Sequence, residues 1–549
     1  MSVSPDSDAR GDPTERAAAA CGALPRARVD RSEASLLLAL LGVAASVLVP
    51  LLSVGLPLSG AYGIYAEDQL QYFAWIRDAS HHILIGDRFD LAPGQRTFVH
   101  PVFTLSGIVH AATGLPVPLS YLLWEPVAIG LLFVGFLRYA RRLLPPGGSQ
   151  KTAVSLALFS ISPLFMLVGR TGWTTPEFVA TSADLAREVW VAGYLWGYLM
   201  GAITVALMPL VLLCLEWWRD HPRRRTLWMM CTVALLISWL HPWQGATLVI
   251  VLAAVEALRL RRTRTGPPPG LLLVFVAFAL PALYYLALST MDPVWSTYRR
   301  QNALVDRPWG PMVLALLPLA APALLAYRLP ARHWQEQAVR AWPFAAILVY
   351  VLPVGAYPAH AFDGVTLPLA ILAVQGVTSL WPRPPITAIV SAVVLLTVPG
   401  TADSLKVLAT KARSGEHGYF ITQSEKRALA ALERDRRPGG VLSPVSPGAF
   451  IPYTTGREVY VGHDSWTPNF HERSDRAEDL FAGRLTGEAA QAFVRSTRAR
   501  FLFADCRHPL DLAATLRPLL AAVTKHGCAT IYELLEQPGM AEAAGPPDW

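Results

Sequence analysis

The sequence predicts an α-helical polytopic membrane protein with a small α/β domain at its C-terminus. Three observations lead there. Of 549 residues, 53% are hydrophobic and only 16% charged, with a mean hydropathy of +0.36; soluble domains carry about 25% charged residues. The apolar residues gather in runs, several near the ~20 residues that one helix needs to cross a bilayer. Residues 401–549 return to the charge balance of a soluble domain. Together these exclude a soluble enzyme, a disordered regulator and a nucleic-acid binder. Only five of the 47 basic residues are lysine (Lys151, Lys406, Lys411, Lys426 and Lys525). Arginine, alanine and proline in such excess are the codon signature of a GC-rich bacterial genome, and the net charge of +7 reports membrane orientation.

Residues 1–33 are polar and lack an apolar face, which predicts a disordered cytoplasmic tail. The run Leu36–Leu58 exceeds a signal-peptide core and is a retained first span. Further runs lie near 118–137, 152–168, 191–215, 227–240, 244–258, 271–290, 311–327, 342–357, 365–381 and 385–400, giving about eleven transmembrane helices over 34–400. Alternate loops hold the arginines: Arg138, Arg141 and Arg142; Arg219 and 223–225; Arg259, Arg261, Arg262 and Arg264; Arg328, Arg332 and Arg340; then Arg383. The positive-inside rule makes those loops cytoplasmic. The large first loop, 59–117, and the domain over 401–549 then lie outside the cytoplasmic membrane.

Within the first loop, Val102–Ala112 is too short to span and predicts a re-entrant or interfacial helix. The stretch after Tyr65 places Leu70, Phe73 and Ile76 at helical spacing, which predicts a helix lying along the interface. In the outer domain, helices are expected over 424–436, 475–483, 487–497 and 510–525. Strands are expected over 440–445, 458–462, 500–504 and 529–534. Cys506 and Cys528, beside two of those strands, are a possible disulfide in an oxidising compartment.

Glu67 and Asp68 stand just beyond the first membrane exit. A carboxylate there suits proton abstraction from a hydroxyl or divalent-ion binding; on these facts alone a solvated acidic pair is the favoured description. Arg170, Arg187, Arg299 and Arg300 are cations on the outer side, and a planar guanidinium suits phosphate oxygens. His100, His241 and His360 sit at outer helix ends, and His463 and Trp466 form a polar-aromatic turn in the outer domain. No HxxxH or HExxH spacing is present, so no metal site is assigned; the sequence requires no cofactor and leaves a divalent cation open. A P-loop, a GxGxxG fingerprint and a GxSxG elbow are also missing.

An acidic pair in the first outer loop, interfacial helices beside it and a C-terminal outer α/β domain resemble the GT-C class of glycosyltransferases. The turn Tyr460-Val-Gly-His463-Asp-Ser-Trp466-Thr-Pro is similar to outer-domain segments of bacterial membrane proteins of this kind. The resemblance covers the layout of most of the chain, while its motif is two residues, Glu67-Asp68. It implies a GT-C-like membrane domain and an inverting transferase. That enzyme moves a sugar from a polyprenyl-phosphate carrier to an extracytoplasmic acceptor, a cell-envelope glycan, lipid or protein. It makes Asp68 the catalytic base with Glu67 as partner. The donor phosphate falls to Arg299, Arg300 and Arg170, and His100, His241, His360, His463 and Trp466 become substrate contacts. The alternatives are a transporter or flippase of a lipid-linked glycan, and a non-catalytic envelope-assembly protein.

Overall fold

The computed structural model describes residues 30–536, apart from 93, 304–306, 353–356 and 416–417. The expected tail therefore lies outside the described residues, except that its last residues belong to the first helix. Asp30 accepts the Glu33 N–H at 2.8 Å and Glu33 returns a bond to the Asp30 N–H, a capping box that starts the helix at Arg31.

This first span, α1 (Arg31–Leu52), leads to α2 (Ala66–Ala79) and α3 (Pro101–Thr113) in the first loop. Next come α4 (Val117–Leu143) and a pair bent by 58°, α5 (Gly148–Phe159) and α6 (Leu164–Thr171), followed by α7 (Pro176–Glu188). The chain continues through α8 (Leu199–Asp220), α9 (Arg224–Leu240), α10 (Pro242–Thr263) and α11 (Pro269–Met291). A short α12 (Pro293–Gln301) precedes α13 (Trp309–Ala326), α14 (Trp334–Val351), α15 (Thr366–Leu380) and α16 (Ile386–Ser414). Among the described residues, seven helices are long and apolar enough to cross a membrane, or eight if the bent pair is one span. These are α1, α4, α8, α10, α11, α13 and α16. The other three expected runs are helical as well, but α9 and α15 have 17 and 15 residues. The third, α14, opens on the polar turn Gln335-Glu336-Gln337.

Several of the loop arginines are held in ion pairs. Arg142 makes a paired contact with Glu216 (2.9 and 2.6 Å), Arg219 and Arg259 share Glu256, and Lys151 meets Asp30 at 3.0 Å.

One expectation for the first loop is corrected. Helix α2 does not lie along an interface with one face in water. Gln69, Gln71 and Asp78 are buried along with Leu70, Phe73 and Ile76. The domain beyond α16 packs on α2, and two of the buried polar groups find partners within the first loop itself. Gln69 accepts the Tyr62 and Gly63 N–H groups, both at 2.7 Å, and Asp78 pairs with Arg88 at 2.6 Å.

Helix α16 runs without a break through residue 400, so the outer domain proper starts after Ser414. It contains α17 (Gln423–Arg434), α18 (Val445–Thr455), α19 (Phe470–Phe481) and α20 (Gly487–Thr497). Its sheet comprises β1 (Val441–Leu442), β2 (Phe501–Ala504), β3 (Leu520–His526) and β4 (Ala529–Leu534) in the order β1-β2-β4-β3. Strand β1 runs parallel to β2, and the other neighbours are antiparallel. The helix expected over 510–525 is present only in part: Ala513–Leu516 and the 3-10 turn Arg517–Leu519 are helical, and the chain from Leu520 on is β3. Gly527 takes φ 70° at the turn into β4, and pairing with β4 outweighs a helical spacing on a strand that is mostly exposed. The strand expected over 458–462 reduces to one bridge, Val459 to Val441. Cys506 and Cys528 are joined in a disulfide across the β2–β4 end of the sheet. The domain has its own core of Leu442, Leu480, Phe481, Phe493, Leu502 and Tyr532.

Helix α18 docks this domain on α2. Tyr453 meets Phe73 edge-on at 5.6 Å and donates to the Ser59 carbonyl at 2.5 Å. Arg77 donates to the Thr454 carbonyl at 3.0 Å and pairs with Glu433 at 2.8 Å. The docking fixes the surroundings of the acidic pair.

Candidate active site

Glu67 and Asp68 form the first turn of α2, where carboxylates complement the helix dipole. The turn is held from behind by close backbone approach. A Cβ on Gly63 would stand 2.0 Å from the Trp196 carbonyl oxygen, so only glycine lets the loop reach that depth. The two acids then face different ways. Burial first, and the charge of Glu67 second, raise the pKa of the Tyr419 phenol. Burial first, and the charge of Asp68 second, do the same to Tyr72 and Tyr298. Asp68 therefore lies near the phenols of Tyr72 and Tyr298.

His463 of the outer domain meets Asp68. Its Nε2 donates to Asp68 Oδ1 at 3.2 Å, and its Nδ1 lies 3.1 Å from Asp464 Oδ1. The imidazole is buried, whereas the Asp68 side chain is 48% exposed. Burial works against a charged ring here, but the two carboxylates outweigh it and raise the His463 pKa to about 9. The Ser465 N–H also approaches His463 Nδ1, at 3.1 Å. Oδ2 of Asp68 has no hydrogen-bond partner among the described residues and remains able to accept a proton.

The turn carrying His463 is clamped by α12. The Thr467 hydroxyl accepts the Gly462 and His463 N–H groups at 3.2 and 3.3 Å. Gln301 donates to the Asp464 and Thr467 carbonyls at 3.2 and 2.9 Å. Trp466 stacks on Tyr298 with centroids 4.3 Å apart and meets Trp75 and Trp295 edge-on at 5.1 and 5.0 Å. Both faces of its indole are therefore engaged within the protein, so Trp466 positions His463 and offers no platform to a sugar.

Other predicted residues fall in distinct places. Arg299 and Arg300 occupy the last turn of α12 beside Tyr298. Arg300 is bonded to Ser296 and Thr297 at 3.2 and 2.9 Å, and Arg299 makes no ion pair among the described residues. Arg170 ends α6, whose Gly169 abuts Val179. That contact is nine residues, roughly 13 Å, along α7 from Glu188. Arg187 is committed to Asp184 and Asp403 at 2.9 and 2.6 Å. His100 is buried against Phe103 at 4.3 Å, with its Nε2 near the Leu240 carbonyl; it serves the packing at the start of α3.

His241 and His360 belong to a second group that sequence reading did not assemble. His241 joins α9 to α10, and His360 lies in the 3-10 turn Pro358–Phe362. With Asp363 they place ligand-type atoms within 4.8 Å of one another. Glu188, at the end of α7, approaches His360 Nδ1 at 2.5 Å. Burial disfavours charge on His360, but Glu188 and then Asp363 raise its pKa to about 9, with a smaller contribution from Asp68. The two groups therefore share one electrostatic environment. Glu188, Asp363 and Gln244 carry no motif; the only local signal was polar residues three apart, His241/Gln244 and His360/Asp363.

No family model matches the chain, and no curated protein matches it in sequence. Among solved structures it is similar to the Archaeoglobus fulgidus oligosaccharyltransferase. Against the apo form the identity is 14% and the TM-score 0.48, covering 87% of this chain and 71% of that one. Against that protein's complex with Zn and sulfate the figures are 12%, 0.43, 87% and 69%. Against oligosaccharyltransferase AglB of the same organism, in complex with an inhibitory peptide and a dolichol-phosphate, they are 13%, 0.41, 86% and 69%. At this level of likeness the functional reading rests on the site's own geometry.

Proposed function

We propose that the protein is an inverting glycosyltransferase of a bacterial cytoplasmic membrane, with its active site on the outer face. It moves one sugar from a polyprenyl-phosphate carrier to a hydroxyl of a cell-envelope glycan, lipid or protein. The observation that carries this reading is the contact between Asp68 and His463 across the join of membrane and outer domains. It leaves one carboxylate oxygen oriented and the other open, beside the first membrane exit.

In the proposed step the acceptor hydroxyl gives its proton to Asp68 as its oxygen attacks the anomeric carbon. The bond from that carbon to the phosphate oxygen breaks on the opposite face, and its electron pair leaves with the polyprenyl phosphate. A single displacement inverts the configuration. Arg299 and Arg300 are the cations for the departing phosphate, because α12 also holds the His463 turn. Glu67 is the secondary acid. A transporter would need its acidic residues free to exchange partners between two openings, and a scaffold would leave them in bulk water; the His463 cap on Asp68 favours the enzyme.

The test is complementation of a deletion strain, read as the cell-envelope glycan profile. Wild type restores the missing sugar and Asp68→Asn, expressed at the same level, does not. Full restoration by both Asp68→Asn and Glu67→Gln overturns the proposal.

A further inference from the structure

The group formed by His241, His360 and Asp363 has features that a proton-transfer site does not need. Asp363 is 1% exposed, and among the described residues neither of its carboxylate oxygens has a hydrogen-bond partner within 3.5 Å. Two hydroxyls stand near it and are shared with other partners: Tyr194 donates to the Glu188 carbonyl at 2.6 Å, and Tyr198 contacts His241 Nε2. A buried carboxylate without a donor is strongly disfavoured unless a cation compensates it.

The imidazole of His241 is set up in advance. Gln244, fully buried, gives its amide N–H groups to the His360 and Asp363 carbonyls at 2.6 and 3.3 Å. Its Oε1 must then face His241, where it contacts Nδ1. An acceptor at Nδ1 fixes the proton there and leaves the lone pair on Nε2. That nitrogen is 3.6 Å from Asp363 Oδ2, and His360 Nδ1 is 3.7 Å from the same oxygen. Orientation of one ring nitrogen by a bond to the other is how proteins prepare histidine for a metal. Ligand bonds of about 2.0–2.1 Å in a tetrahedral site set ligand atoms about 3.3 Å apart. The two measured separations need to close by only a few tenths of an ångström. Aromatic walls enclose the group: Trp243 and Tyr357 lie 5.3 and 5.0 Å from the His360 ring.

We propose that His241 Nε2, His360 Nδ1 and Asp363 form a binding site for one divalent transition-metal ion, with Glu188 as the fourth ligand. Two imidazoles with carboxylates suit Zn²⁺ and exclude Mg²⁺ and Ca²⁺, which favour all-oxygen sites. The ligands come from segments far apart in sequence, the end of α7, the join of α9 and α10 and the turn before α15, so the ion ties these helices together. The inference does not depend on the transferase reading, since a transporter with these residues would bind the same ion.

The test uses the purified full-length chain, stripped with a chelator and equilibrated with Zn²⁺ or with Co²⁺ as a spectroscopic probe. Wild type should retain one ion per chain by elemental analysis, and its Co²⁺ spectrum should show histidine coordination. His360→Ala and Asp363→Asn should each weaken binding at least 100-fold, and Gln244→Leu by 10–100-fold as an outer-shell change. Tyr198→Phe removes the hydroxyl that competes for His241 Nε2, so it should bind at least as tightly as wild type. It also shows that a change in this group need not unfold the protein. Wild type holding no more ion than His360→Ala, or Tyr198→Phe losing the ion while folded, would overturn the inference. Because the readout is metal content, it can fail while the transferase reading stands, and the reverse.

Discussion

Truncating Trp466 tests the claim that the outer domain is clamped to the membrane domain through the His463 turn. The indole is 5% exposed and buries roughly 200 Å². At about 25 cal/mol per Å² that amounts to about 5 kcal/mol as an upper bound. Its stack on Tyr298, 4.3 Å between centroids, adds about 0.5–1.5 kcal/mol beyond area. Trp466→Ala should therefore cost about 3–5 kcal/mol, the range for deleting a buried tryptophan. The assay is thermal unfolding of the detergent-purified protein, followed by fluorescence and by protease cleavage in the segment joining α16 to α17. The control is Trp173→Ala, because Trp173 is 88% exposed and its loss should fall within about 0.5 kcal/mol of wild type. Equal unfolding profiles for the two variants would refute the clamp.

Further outcomes follow from the same geometry. The His463 pKa is raised above its ordinary value of 6.5 to about 9. The stabilisation from its pairing is thus complete below about pH 6.5 and is lost as pH rises through 9; protease resistance of the domain join should fall across that window in wild type and not in His463→Gln. Substituting alanine for Gly63 sets a Cβ 2.0 Å from a backbone oxygen, so Gly63→Ala should misplace the α2 turn and abolish activity while Gly130→Ala, in open space, is neutral. Removing the disulfide by Cys506→Ser should destabilise the outer domain by about 3 kcal/mol, seen as lower protease resistance under non-reducing conditions.

Composition and arginine spacing made the helical layout legible, because eleven apolar runs and eleven helical segments coincide. What length alone did not supply is which of them cross a membrane: α9 and α15 are short, and α14 begins with polar residues. The outer domain was legible where strands are buried, as in β2 and β4, and misread at β3, whose exposed residues carry no period that separates strand from helix. The burial of α2 on all sides was hidden because it depends on α18, nearly 400 residues away in the chain. The same holds for the site. Glu67-Asp68 could be found from position and His463 from its turn, but their contact is tertiary. Asp363 and Glu188 had no local pattern, and Trp466 looked like a sugar platform only until Tyr298, Trp75 and Trp295 closed around it.

The central claim is that Asp68 takes the acceptor proton while His463 orients it. The direct measurement is sugar transfer by purified protein reconstituted with a pool of labelled polyprenyl-phosphate sugars, read as release of polyprenyl phosphate per turnover. Asp68→Asn should lower the rate by about 10²–10⁴-fold, the contribution of a positioned base, with binding of the lipid-linked donor retained. His463→Gln should lower it less and flatten its dependence on pH near 9. Transfer by Asp68→Asn at the wild-type rate would contradict the account.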